Sequence, residues 1–186
     1  MPHPKLIVIG GSLATGKTTV ATTLASTLGI SRIAMDVIKE TLFDVGGSRD
    51  RQWSREIGRV AFEVFRHLIE LHLRRGESVI AESTFVWPGD ADWLHDLTHR
   101  YNAELIQIWM TADSKIARER FLTRAHSGER HPGHNDAVDA VLKEFDERYF
   151  TKKFAPLPLK ARTLVVDTTQ TDADHEEILR FVQNIV

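Results

Sequence analysis

Short apolar runs alternate with longer amphipathic stretches along the chain. This alternation is typical of a parallel β-sheet covered by helices. Five apolar runs predict strands at Lys5 to Ile9, Ser31 to Met35, Ser78 to Ala81, Glu104 to Met110, and Thr163 to Val166. The other stretches predict helices near Gly16 to Leu28, Asp36 to Phe43, Asp50 to Arg75, Asp90 to Arg100, Asp113 to Ala125, Asn135 to Tyr149, and Asp172 to Ile185. The pattern therefore predicts an α/β fold in a single domain over residues 1–186.

Two segments fit neither a strand nor a buried helix. Residues 126–135 hold two glycines, a proline and three histidines between two predicted helices, where a mobile lid would fall. Residues 154–160 hold two prolines and are expected to be a plain connector on the surface. Asp113 and Asp172 are expected N-caps of the helices that follow them.

Composition narrows the class of protein. A chain of 186 residues suits one domain with one core, and a net charge of −2 indicates neither a nucleic-acid nor a membrane partner. The absence of cysteine excludes disulfide and thiolate chemistry. The first residues lack the basic and apolar pattern of a secretion signal, so we expect a cytoplasmic protein.

A complete phosphate-binding motif, G-x-x-x-x-G-K-[ST], follows the first predicted strand and opens the first predicted helix. Backbone N–H groups of such a loop and the helix N-terminus attract phosphate. Lys17 can reach the terminal phosphates, and the Thr18 hydroxyl can ligate Mg²⁺. A chance glycine-rich turn is the alternative, but the flanking strand and helix favour binding of ATP with Mg²⁺. The candidate nucleotide contacts are Gly11, Ser12, Leu13, Ala14, Thr15, Gly16, Lys17, Thr18 and Thr19.

Polar residues follow the other predicted strands, and the carboxyl ends of parallel strands meet at one edge of a sheet. Asp36 is a candidate general base for an attacking hydroxyl, or else only the N-cap of its helix. Glu82 is a candidate Mg²⁺ ligand through water, or a contact for substrate hydroxyls, or else a solvated carboxylate at the edge of the sheet.

Two arginines precede the predicted lid. Arg120 and Arg124 lie four residues apart on one helix face and can stabilise charge during phosphoryl transfer, or else belong to a solvated face. The segment Arg130 to His134 matches no strong zinc pattern, so we expect a lid or an exposed loop.

The acceptor pocket should draw on Asp36, on residues 49–59 and on residues 85–88. Trp53 and Trp87 can stack on a ring or sugar, or else only cover apolar surface. Arg51, Arg55 and Arg59 lie on one helix face, and the sequence leaves open whether they bind an anion or are solvated. The candidate substrate contacts are Asp36, Arg55, Glu82, Phe85 and Trp87.

Taken in order along nearly the whole chain, these motifs resemble the adenylate-kinase-like P-loop kinases. The small members that phosphorylate a hydroxyl look most similar: chloramphenicol phosphotransferase, gluconate kinase, polynucleotide kinases and the zeta toxins. The resemblance implies a three-layer P-loop NTPase fold with helices on both faces of a parallel sheet of order 2-3-1-4-5. It also implies ATP with Mg²⁺ and a small closing lid at about residues 126–135.

The resemblance implies specific roles for residues of this chain. Arg120 matches a lid arginine near adenine or phosphate, and Arg124 matches one that contacts the transferred phosphate. The adenine would lie beside the segment that contains Asp167, Thr168 and Thr169. The lid itself departs from an arginine-rich pattern, which argues against a nucleotide as the second substrate.

The leading hypothesis is an ATP-dependent kinase that acts on a hydroxyl of a small molecule such as a metabolite, a nucleoside-like compound or an antibiotic. Its catalytic residues would be Lys17, Asp36, Arg120 and Arg124. One alternative is a polynucleotide 5′-hydroxyl kinase. Another is an ATPase or switch without an acceptor. The acceptor and the oligomeric state are left open.

Overall fold

One five-stranded sheet forms the centre of the protein. The computed structural model describes residues 3–128, 130–134, 139–151 and 154–183. All neighbouring strands are parallel, and their order is β2-β3-β1-β4-β5, which confirms the predicted topology. The strands are β1 (Lys5–Gly11), β2 (Ser31–Ala34), β3 (Val79–Glu82), β4 (Glu104–Thr111) and β5 (Arg162–Asp167).

Helices connect these strands, as the amphipathic stretches predict. Their bounds are α1 (Lys17–Leu28), α2 (Met35–Gly46), α3 (Arg51–Arg74), α4 (Asp90–Arg100), α5 (Ser114–His126), α6 (Asp139–Phe150) and α7 (His175–Gln183). A 3₁₀ turn, Pro132–His134, lies between α5 and α6. The predicted helix start at Asn135 and helix end at Ile185 lie outside the described residues.

The helices cover both faces of the sheet because successive residues of β1 point in opposite directions. Leu6 and Val8 join one apolar cluster with side chains from α3 and α4. Ile7 and Ile9 join a second cluster with side chains from α1 and α7. All four β1 side chains are fully buried, so this strand holds the loop that follows it on a rigid base.

A third, smaller apolar cluster fixes α5 and α6 beside that loop. Phe121 from α5 packs against Phe145 from α6, with ring centroids 5.3 Å apart. Leu13 and Ala14 of the phosphate-binding loop pack on the same cluster. This packing brings the arginines of α5 and the charged residues of α6 to the carboxyl edge of the sheet.

Two local predictions are wrong. Asp174 caps α7, accepting hydrogen bonds from the backbone N–H groups of Glu176 and Glu177 at 2.9 and 3.0 Å, so Asp172 is not the cap. The segment from Phe154 is not a plain surface connector. Its Leu157 backbone pairs with the side chain of Gln107, a polar residue buried in β4 that needs hydrogen-bond partners.

In the part of the chain that the structure describes, every helix is too short or too polar to cross a lipid bilayer.

Candidate active site

The phosphate-binding loop lies between the carboxyl end of β1 and the start of α1. Gly11 has φ +116°, and a Cβ there would lie 2.0 Å from the Met110 carbonyl oxygen, so only glycine fits. The Ser12 N–H donates to that carbonyl at 3.1 Å, which anchors the loop to β4. Gly16 precedes α1 without a side-chain cap, so the first N–H groups of the helix are available to an anion.

Lys17 points back over this loop. Its ammonium donates to the Ser12 carbonyl. Burial lowers the pKa of Lys17 to about 8, although the carboxylates of Asp36 and Glu82 oppose the shift. Such a lysine is poorly stabilised when charged, and phosphate oxygens would restore that stabilisation.

Thr18 and Glu82 meet beside the loop. The Thr18 hydroxyl donates to Glu82 Oε1 at 2.6 Å, and Arg32 from β2 donates to Oε2 at 2.6 Å. Glu82 is therefore paired and only 7% exposed, so it is not a solvated carboxylate. A hydroxyl and a carboxylate are the hard oxygen donors that Mg²⁺ prefers, together with water and phosphate. Within the described residues no cluster of three or more acidic, His or Cys side chains forms an all-protein metal site.

A cavity of about 510 Å³ opens beside the loop, toward α5 and the end of β5. Arg120 lines it and donates to the Thr168 carbonyl at 2.8 Å. Thr168 also lines it, whereas Asp167 turns away and accepts from the Thr169 N–H at 2.8 Å. Thr169 in turn accepts from the Asp113 N–H at 2.8 Å. Of the three residues predicted beside adenine, Thr168 is therefore the one at the cavity, and the other two brace its loop.

Asp36 lies across the site from Lys17 and is not a helix cap. The N-cap of α2 is Ala34, and Asp36 is in the first turn. Its Oδ2 accepts from Arg130 at 2.9 Å, and Oδ1 has no hydrogen-bond partner among the described residues. Loss of hydration would raise the pKa of Asp36, but the charge and hydrogen bond of Arg130, with smaller contributions from His134 and Lys17, outweigh it and lower that pKa to about 2. The carboxylate is therefore ionised at neutral pH.

Three acidic residues of α2, spaced four apart, hold the segment after α5. We call residues 130–134 the lid segment. Arg130 pairs with Asp36, His134 with Glu40 at 2.9 Å, and His131 with Asp44 at 3.1 Å.

Both histidine rings of the lid segment also contact Phe43, and Gly133 packs against the same ring. These contacts give the histidines a structural role and dock residues 130–134 on α2. Glu129 and Asn135 of the predicted lid lie outside the described residues.

A second cavity of about 350 Å³ lies between α2, α3 and α6. Three of the predicted substrate contacts, Asp36, Arg55 and Trp87, line it, and Trp87 is half exposed at its wall. Phe85 does not line it. That side chain is 1% exposed and packs on Phe65 in the core, so its predicted substrate contact is wrong.

Trp53 also lies outside this cavity. Its indole N–H donates to the Gly47 carbonyl at 2.8 Å, and Arg49 stacks on the ring at 4.3 Å. The tryptophan therefore braces the turn between α2 and α3.

The two cavities meet at a smaller cleft of about 190 Å³ over the phosphate-binding loop. Asp36, Glu82 and Arg124 line this cleft together with Lys17 and Thr18. Arg124 also lies close enough to Lys17 for its charge to lower the pKa of that lysine. The predicted catalytic residues therefore converge, except Arg120, which faces the first cavity.

Several residues of the site carry no local signal in the sequence. Tyr149 from α6 hydrogen-bonds the Ser12 side chain in the phosphate-binding loop, and Glu144 from the same helix enters the second cavity. Arg32 is the exception, because a charged residue that is partly buried in a strand favours a counter-ion. That preference points to an acidic partner on the neighbouring strand.

Fold and site together define a P-loop kinase-like protein. Residues 6–151 match a P-loop family described as an AAA domain, and since this match spans more than half of the chain, the chain belongs to that family. A solved structure of a provisionally assigned kinase from Chloroflexus aurantiacus J-10-fl is similar. It is 35% identical over 100% of both chains, with a TM-score of 0.86.

More distant structures share the fold alone. Kti12 from Chaetomium thermophilum, in complex with ADP-AlF3, is 15% identical with a TM-score of 0.65, covering 96% of this chain and 97% of its own. A sugar kinase from Janibacter sp. HTCC2649 is 14% identical with a TM-score of 0.59, covering 98% and 94%. No curated protein matches the sequence.

Proposed function

We propose that the protein is an ATP-dependent kinase that transfers the γ-phosphoryl group to a hydroxyl of a small molecule. The observation that carries the proposal is the position of Asp36. It lines both the cleft over the phosphate-binding loop and the second cavity, so a hydroxyl bound in that cavity would meet a carboxylate next to the donor phosphate. The kinase-like relatives are consistent with this activity.

The residues of the cleft have different roles in the proposed phosphoryl transfer. Asp36 Oδ1 accepts the proton of the acceptor hydroxyl while its oxygen forms the new bond to phosphorus and the bond to the β-phosphate breaks. Lys17 and Arg124 stabilise the negative charge on the transferred group and on the departing ADP. Positioning and charge stabilisation of this kind account for most of the catalysis of phosphoryl transfer.

Mg²⁺ fits the donor set of this cleft. Thr18 Oγ1 and Glu82 Oε1, 2.6 Å apart, would hold it together with phosphate oxygens. When bound, it supplies charge neutralisation between the phosphates. Arg32 fixes the Glu82 carboxylate in place, so its role is positioning.

Transfer of labelled phosphate from ATP to a panel of small hydroxyl compounds tests the proposal. Asp36→Asn is expected to reduce transfer by about 10²–10⁴-fold, the usual contribution of a general base, while ATP still binds. Asp44→Asn is the matched control, because Asp44 lies on the same helix and also contacts the lid segment. If the Asp36→Asn variant transfers phosphate as fast as the unmodified protein, the assignment of Asp36 as general base is wrong.

The same assay separates the alternatives. Oligonucleotides with free 5′-hydroxyl ends would be phosphorylated by a polynucleotide kinase, and ATP turnover without any acceptor would indicate an ATPase or switch. Lys17→Ala should remove nucleotide binding in every case, so it tests the loop alone.

A further inference from the structure

The second cavity has an excess of positive charge. Arg51, Arg55 and Arg59 lie along one face of α3, and Arg148 approaches from α6. Glu144 is the carboxylate among these four arginines, which leaves three positive charges unbalanced. Arg51 and Arg148 are partly buried, with side chains 26% and 29% exposed, so their charges benefit from a nearby anion, whereas Arg55 is 59% exposed and Arg59 is also exposed.

Glu144 indicates how an anion binds there. Arg51 donates to its Oε2 at 2.6 Å, and Arg55 donates to its Oε1, so one carboxylate bridges two guanidinium groups. Burial alone would raise the pKa of Glu144, but hydrogen bonds from these arginines lower it, and the carboxylate stays ionised.

Donor capacity remains around that carboxylate. The Nε of Arg51 is buried and has no hydrogen-bond partner in the part of the chain that the structure describes. Arg59, one turn beyond Arg55, forms no ion pair with any described residue. Burial lowers the pKa of Arg148, and the charges of the neighbouring arginines lower it further, which reflects crowding of like charges. A second anion could accept hydrogen bonds from Arg51 and from the exposed Arg59, and it would reduce the repulsion around Arg148.

We propose that the phosphate acceptor is a small hydroxy carboxylate, whose carboxylate group binds the arginine cluster formed by Arg51, Arg55, Arg59 and Arg148. This inference rests on the proposed kinase function. With the acid held there, its hydroxyl would face Asp36 at the other wall of the cavity, and the ionised Asp36 would repel the carboxylate away from the donor phosphate. Charge would thus orient the acceptor.

Size and geometry favour a small carboxylate. A volume of about 350 Å³ suits a single small molecule. Glu144 already places one carboxylate oxygen on each of two arginines, so the guanidinium groups of this cluster are spaced to bind a carboxylate by charge-assisted hydrogen bonds.

Steady-state kinetics with paired acceptors test the inference. Gluconate is compared with sorbitol, and glycerate with glycerol and glycerol 3-phosphate. Arg55→Gln and Arg59→Gln are expected to raise KM for the carboxylates by about tenfold to a hundredfold, the effect of losing a charged hydrogen bond. Arg74→Gln, at the exposed end of the same helix, is the matched control. Glu144→Gln is expected to lower KM for the carboxylates, because it removes a competing negative charge.

Different outcomes have different meanings. The inference is wrong if neutral polyols are phosphorylated with the same efficiency as the acids. It is also wrong if Arg55→Gln changes KM equally for both classes. In either case the proposed kinase function still stands. Preference for the phosphate ester would also overturn the inference.

A binding measurement separates the two proposals. In a thermal-shift assay, the acids should stabilise the kinase-inactive Lys17→Ala variant and the polyols should not. That result would support the anion site even if no phosphoryl transfer occurred. Urea unfolding of each variant confirms that the fold is intact.

Discussion

Gly133 in the lid segment allows a sharp test of how residues 130–134 are docked. A Cβ at this position would lie 2.4, 2.5 and 2.8 Å from ring atoms of Phe43, which is 2% exposed in the core. Real Cβ atoms do not approach ring carbons so closely, so Gly133→Ala must displace either the ring or the lid segment. Phe43 belongs to α2 and its side chain is buried, so we expect the lid segment to move.

The free energy lost in Gly133→Ala is limited by the free energy with which the lid segment docks on α2. Overpacking of a well-packed site usually costs about 1–3 kcal/mol. The loss cannot exceed the docking free energy of the lid segment, because the segment can detach. That free energy comes from the two ring contacts of Phe43, at about 0.5–1.5 kcal/mol each, and from partly exposed ion pairs worth at most about 1 kcal/mol each. The substitution should therefore remove most of the docking.

Limited proteolysis with trypsin is the appropriate assay, since Arg130 is only 15% exposed when it pairs with Asp36. We expect Gly133→Ala to accelerate cleavage after Arg130 by about tenfold or more, in line with about 1.4 kcal/mol for each factor of ten. Gly46→Ala is the control, because a Cβ there would meet Trp53 at an ordinary 3.6 Å. Unchanged cleavage in Gly133→Ala would refute the docked lid segment.

Three further predictions concern the charges of the cleft. Binding of ATP at pH 8.5 should be accompanied by uptake of a proton, because phosphate raises the pKa of Lys17 from about 8. Calorimetry in buffers of different ionisation enthalpy detects this uptake, and Lys17→Arg should abolish it. Glu82→Gln should raise the Mg²⁺ concentration that half-saturates turnover, measured by Mg²⁺ titration at fixed ATP; no change would remove Glu82 from the metal site. Arg130→Gln should raise the pKa of Asp36 from about 2, so the acid limb of the pH–rate profile should move to higher pH. As the pH falls, the stability that ionised Asp36 provides should then be lost at a higher pH than in the unmodified protein. An unchanged acid limb would contradict the pairing of Arg130 with Asp36.

The sheet and the donor half of the site could be predicted because their signals are local. Apolar runs locate the strands, and the strand order follows from the family that the phosphate-binding motif indicates. Lys17, Thr18 and Asp36 then follow, since each lies at or next to the end of a strand, where parallel sheets bring ligands together. The same reasoning predicts that Glu82 lies at this edge of the sheet, where it lines the cleft, although it does not predict the partner Arg32.

The predictions that failed depend on which way a side chain turns. Phe85 has φ +48°, an uncommon backbone conformation for an aromatic residue, and it packs in the core while Trp87 lines the cavity. Nothing in the local sequence distinguishes the two. Likewise, both Asp172 and Asp174 can cap a helix, and only the geometry of the preceding turn decides between them.

The acceptor side of the site was harder to predict, because the roles of its charged residues depend on two helices of opposite charge that face each other. On α2, Asp36, Glu40 and Asp44 share one face and bind the cationic lid segment. On α3, the basic face binds Glu144. Each stripe alone is compatible with a solvated helix surface, and each gains a function only when the fold sets it against the other across one cavity. An acidic acceptor would be attracted to the basic face of α3 and repelled by Asp36 of α2, so the two faces together would determine which end of the acceptor reaches the phosphate.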